Sequence, residues 1–128
     1  MRKILYIFIL AFIGGCLRGY FTLIAGNDHF IATVFINLIG AFVLAFITGA
    51  LPHLIDISND IMTGLSVGLV GGFTTFSTFS YDSVTLFENN KIGLGLLYIL
   101  VSLIGGLLLA HIGTKLGQQF ENKEDQLW

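Results

Sequence analysis

Ten consecutive residues, Gly71 to Ser80, read Gly-Gly-Phe-Thr-Thr-Phe-Ser-Thr-Phe-Ser and set hydroxyls among phenylalanines. A hydroxyl donates one hydrogen bond, and an aromatic ring has a positive edge that attracts an anion its face repels. Ser77, Thr78, Phe76 and Phe79 are therefore candidate ligands for an anion stripped of its water. Asn37 adds two amide N–H donors, and Arg18 adds a cation that would concentrate anions at an entrance. Glycines permit a helix break, which would free the carbonyls of Gly71 and Thr74; free carbonyls and half-helix ends bind cations. Tyr98 and Ser102, one turn apart, contribute two further hydroxyls. Each residue also has a plainer reading. Arg18 can snorkel to the headgroups, Asn37 can join two helices, the phenylalanines can fill a core, and Ser102 can bond its own helix. Asp82 is too costly as a lone buried acid and is expected to pair with a cation or a hydrogen-bond donor. His29, His53 and His111 fall at span ends or loops, where a solvated ring is expected, and none has metal-ligand spacing to another. No nucleophile–base pair, phosphate loop or paired carboxylates stand out, so the chain is not read as an enzyme.

The elements that must hold these residues lie in a membrane. The 128 residues are 55% hydrophobic and only 11% charged, against about a quarter charged in soluble domains. Mean hydropathy is +0.86. Net charge is −2, which leaves no basic patch for nucleic acid. The single cysteine, Cys16, supplies neither an intrachain disulfide nor a metal cluster. The length allows one domain.

Four apolar spans are expected, at about residues 4–24, 30–51, 61–87 and 92–113, followed by a short polar tail over 115–128. The third span has 27 residues, about 40 Å as one helix against a hydrocarbon core of about 30 Å. An interruption at Gly71–Gly72 would relieve the excess, placing a break near Gly71–Thr75. Arg2 and Lys3 before Ile13-Gly14-Gly15-Cys16 resemble a lipoprotein signal, but the apolar run continues past Cys16 and three more spans follow. Both termini then share one side with Arg2, Lys3, Lys115 and Lys123, against Lys91 and Arg18 on the other, which puts them in the cytoplasm by a small margin. Gly15/Gly19, Gly64/Gly68, Gly68/Gly72 and Gly113/Gly117 are small-xxx-small pairs suited to close helix packing. A four-helix bundle has no room for a central pore, so a conduction path belongs between subunits or on the groove-like surface of one, and a dimer is expected.

The run at 71–80, the Gly-Gly-Cys-Leu-Arg stretch at 14–18 and Asn-Leu-Ile-Gly at 37–40 resemble the Fluc (CrcB) family of fluoride channels, over nearly the whole length. The resemblance implies an all-α bacterial plasma-membrane protein that exports toxic fluoride passively. It implies an antiparallel, dual-topology dimer with two pores and a structural sodium ion held by the Gly71 and Thr74 carbonyls of both subunits. Phe76, Phe79 and Asn37 would line the pore, Thr78 and neighbouring hydroxyls a polar track, and Arg18 a vestibule. The chain departs from the family at Gly106, where a second hydroxyl one turn after Ser102 is usual. Paired family members form heterodimers in some species, so a homodimer and a heterodimer are both open. The alternative is a small multidrug or cation exporter of the four-helix dual-topology type, which would need a membrane-buried carboxylate; Asp82 is the one candidate. A non-transporting helical partner would gain nothing from so polar a third span.

Overall fold

A computed structural model describes residues 1–125; residues 126–128 of the expected polar tail lie outside the described residues. Among the described residues the regular structure is helical throughout, with no strand. Helix α1 is Arg2–Ala25 and α2 is His29–Leu54, joined by a 3-10 turn at Gly26–Asp28. A short α3, Asn59–Thr63, runs into a π-helical stretch at Gly64–Val70 and then α4, Gly71–Phe73. Helix α5, Phe76–Glu88, and α6, Ile92–Asp125, complete the chain. Three helical stretches are long and apolar enough to cross a membrane: Arg2–Leu54, Asn59–Glu88 and Ile92–Phe120.

The first of these stretches folds back on itself. Phe21 and Phe35 lie 6.4 Å apart between ring centroids, where one straight helix would separate them by about 21 Å. The reversal falls at Gly26, whose φ of +54° is a left-handed conformation that glycine adopts without steric penalty. Ser58 opens the third stretch as an N-cap, its hydroxyl accepting from the Ile61 N–H at 3.4 Å.

Glycine contacts set which helices touch. A β-carbon at Gly68 would come within 2.7 Å of the Ile7 carbonyl oxygen, and one at Gly72 within 2.5 Å of the Ala11 carbonyl oxygen. Gly64 meets Tyr6 in the same row, and Gly14 returns the contact from α1 against the backbone of Leu69 and Phe73. The expected Gly64/Gly68/Gly72 row therefore brings α1 to backbone contact with the third stretch. Gly113 and Gly117 do the same for α6 on α2, where a β-carbon at Gly117 would come within 3.0 Å of the Gly49 Cα. Gly15 and Gly19 face open space and take no part in packing within the chain.

Helix α6 continues past Gly113 into the expected polar tail. Gly117 is buried against Gly49, and Phe120 meets the edge of Phe46 at 6.2 Å. The charged residues there share a helix whose inner face still has α2 to pack against. The accessible surface is 8595 Å², against about 6,700 Å² for a soluble monomer of 14.0 kDa. Much of the excess is apolar, including Leu103, Leu107 and Leu108 of α6, and suits lipid or a second subunit.

Gly68→Leu drives a side chain into the α1 backbone and should lower stability by about 1–3 kcal/mol or more. Gly93→Ala, where a β-carbon meets nothing within 4 Å, should leave stability unchanged within about 0.5 kcal/mol. Thermal unfolding in detergent compares the two; equal melting temperatures would show that the α1 contact is not tight.

Candidate functional site

The break in the third stretch falls on Thr74 and Thr75, not on the glycines. Gly71 and Gly72 are helical, whereas Thr74 (φ −76°, ψ 161°) and Thr75 (φ −148°, ψ 116°) are extended. The glycine that matters here, Gly72, is needed for approach to Ala11, while the Thr75 hydroxyl stands in for one missing helical acceptor. The Thr74 N–H and Oγ1 both donate to the Val70 carbonyl, at 2.9 and 3.0 Å. Thr75 is the N-cap of α5, its Oγ1 accepting from the Thr78 N–H at 3.2 Å.

Asn37 satisfies what remains. Its Oδ1 accepts from the Thr75 N–H at 2.8 Å, and its Nδ2 donates to the Thr75 carbonyl at 2.9 Å. The α2 helix thus offers an amide in place of the missing ladder. One turn further on, Gly40 makes room for the Thr74 methyl, which a β-carbon there would overlap. The Asn37 side chain so joins two helices, and its second N–H remains to donate. The Thr75 N–H would otherwise close a helical turn on the Gly71 carbonyl; its use by Asn37 releases that oxygen. The Thr74 carbonyl accepts from Arg18 Nη1 at 3.5 Å.

Two hollows flank the break. Arg18, Thr22, Thr33, Thr75 and Thr78 line one, of about 580 Å³. Asn37, Ser66, Gly71, Thr74 and Phe76 line the other, of about 320 Å³. The Thr75 Oγ1 donates to Thr78 Oγ1 at 2.9 Å and lies 3.3 Å from Ser77 Oγ. A Thr78 hydroxyl that accepts from Thr75 keeps its own proton for a ligand.

The phenylalanine stripe divides at the break. Phe73 precedes it and packs edge-on against Phe21 of α1, with centroids 6.0 Å apart. Phe73, Phe76 and Phe79 do not share one helical face despite their spacing of three, because two extended residues intervene. Phe76 and Phe79 remain neighbours at 6.0 Å, tilted by 41°. Phe76 is 80% exposed. Phe79 stacks on Tyr98 at 5.4 Å with planes 21° apart, which covers one face and leaves the ring edge available.

Asp82 is 1% exposed. Its Oδ2 accepts from the Tyr98 hydroxyl at 3.0 Å, and its Oδ1 lies 3.4 Å from His29 Nδ1. The expected pairing of Asp82 is met on both oxygens. His29 is a correction: the ring expected to be simply solvated faces a buried carboxylate. The Tyr98 proton is committed to Asp82, and the Ser102 hydroxyl donates to the Tyr98 carbonyl at 2.8 Å. The Tyr98 and Ser102 protons are thus both engaged, whereas the Thr78 proton and the second Asn37 N–H have no acceptor among the described residues. Gly40, Thr75 and His29 join the site only in the folded chain. Gly40 had a signal, since it lies one turn from Asn37 on the same face; His29 had none, because 53 residues separate it from Asp82.

The family model described as CrcB-like protein, Camphor Resistance (CrcB), matches residues 5–114. The chain is 42% identical over 120 residues to a protein of Listeria innocua named fluoride-specific ion channel FluC 2, covering 93% of this chain and 90% of that one. It is 37% identical over 123 residues to fluoride-specific ion channel FluC 1 of Bacillus cereus, covering 91% and 90%. A FluC 1 from Desulfitobacterium hafniense is 40% identical over 90 residues, covering 70% and 79%. The match spans α1 to α6 and includes Arg18, Asn37, the break and the Phe76–Phe79 pair, and the chain belongs to the CrcB family.

Proposed function

We propose that this protein is a multi-pass membrane channel that lets fluoride leave the cell passively. The observation that carries the reading is the hollow beside the break: an apolar chain of membrane-crossing length keeps a cation and several hydroxyls together there. Fluoride is small and a strong hydrogen-bond acceptor, so its path needs many donors in place of water. Arg18 draws the anion in, Thr78 and Asn37 donate to it, and the edges of Phe76 and Phe79 face it where hydroxyls run out. The names of the relatives support the same ion. The exporter reading loses its basis in Asp82, because both carboxylate oxygens are engaged by His29 and Tyr98.

The folded-back α1–α2 pair supports four crossings, with the third built from α3 to α5. The channel is an antiparallel dimer. A Phe76 ring 80% exposed on one chain is half of a lining that a second chain completes. The polar groups at the break belong in protein or water, not in lipid.

A structural sodium ion belongs at the same place. The donors fit: Gly71 is exposed and its carbonyl is released from the helical ladder, and the Thr74 carbonyl keeps a second lone pair beside Arg18. Two such carbonyls from each of two chains make a site of hard oxygens. Bound sodium would supply a fixed charge that ties the two breaks together.

Phe76→Ile keeps apolar volume and removes the ring edge, so fluoride efflux from liposomes should fall about tenfold with elution in detergent unchanged. Equal efflux would make Phe76 a packing residue, and proton-coupled cation uptake with no fluoride efflux would sink the channel. Replacing sodium by a bulky organic cation should weaken the dimer, read as a shift toward monomer on dilution. A dimer indifferent to sodium would remove the carbonyl site.

A further inference from the structure

The His29, Asp82 and Tyr98 side chains come from three different helices, α2, α5 and α6, and meet at the buried Asp82 carboxylate. Asp82 brings a negative charge next to Tyr98, whose ring stacks on Phe79. A carboxylate so placed opposes any anion that approaches the Phe79 edge, and burial leaves little water to screen it. Tyr98 shares a proton with one oxygen but brings no charge. His29 is the group whose charge can change: its ring faces the other oxygen at 3.4 Å and remains 43% exposed, open to protons from water. The ring also lies against Phe30 at 4.1 Å, which fixes its position. The cluster adjoins the polar hollow through Thr33, whose hydroxyl donates to the His29 carbonyl and which lines the hollow with Arg18 and Thr78.

We propose that His29 is the acid-sensitive counter-charge of Asp82: protonated, it cancels the carboxylate and speeds anion passage at the Phe79 end, and neutral, it leaves the charge to slow it. His29 acts through Asp82 and is a positioning residue, not an ion ligand. The ionisable groups around the pair are Tyr98 on α6, Asp28 in the turn before His29, and Arg18 of α1 across the hollow; Glu88 and Lys91 are exposed at the far end of α5 and its turn. Histidine is the side-chain type suited to a charge change near neutral pH. The inference rests on the fluoride reading above.

The test is fluoride efflux from liposomes holding the purified full chain, with equal pH inside and out and protein-free liposomes subtracted. Wild-type efflux should fall several-fold between about pH 6 and about pH 8. His29→Gln should be flat at the slow rate, His29→Lys flat at the fast rate, and Asp82→Asn flat and fast. A buried structural role for His29 would lower efflux equally at every pH, which overturns the proposal. A flat wild-type profile, or a His29→Gln profile like wild type, also overturns it while leaving the channel intact. Wild-type liposomes that release no fluoride at any pH would instead remove the fluoride reading itself.

Discussion

A backbone that leaves its helix inside hydrocarbon must find hydrogen bonds from somewhere, since no water reaches it and each unpaired group costs several kcal/mol. At Thr74–Thr75 the answer is Asn37, which takes the Thr75 N–H and supplies its carbonyl at once. That pair of hydrogen bonds fixes the register of α2 against the third stretch. Gly40 follows from it, because the helix that presents Asn37 must also clear Thr74 one turn away. The cap made by Thr75 follows as well, since α5 can begin only once the preceding backbone is held.

Around this point the helices form two close pairs, α1 on the third stretch and α2 on α6, each through glycines at backbone contact. Without a hydrophobic drive between helices in lipid, such contact is what packing can offer. The π-helical turn at Gly64–Val70 precedes the break in the same stretch. Wider turns of this kind are frequent at functional sites, and here the turn carries Gly64 and Gly68 against α1 while Ser66 reaches the hollow beside Asn37. Backbone irregularity and close packing thus share one segment.

The polar groups sort into those already satisfied and those left with a proton to give. Ser102 and Tyr98 are satisfied, by the helix backbone and by Asp82. Thr78 and Asn37 keep donors, and Arg18 keeps most of its five. On the proposed reading an anion path would rely on α2, α5 and α1, and Tyr98 of α6 stacks on Phe79. A β-carbon at Gly106 would meet nothing within 4 Å, so the glycine is not required for packing within the chain.

The sequence alone determined the membrane class and the location of the polar break to within a few residues, because these depend on composition, length and local chemistry. It also singled out Arg18, Asn37, Thr78 and the Phe76–Phe79 pair, whose residue types are anomalous in an apolar span. The finer placement was not local. Whether a glycine breaks a helix or packs one depends on what lies opposite, and Ala11 opposite Gly72 decided for packing. The division of Phe73 from Phe76, the two-way use of Asn37 and the pairing of His29 with Asp82 all arise between residues far apart in the chain. Sequence spacing describes a face only while the helix is continuous; once it breaks, only the tertiary structure says which side chains meet.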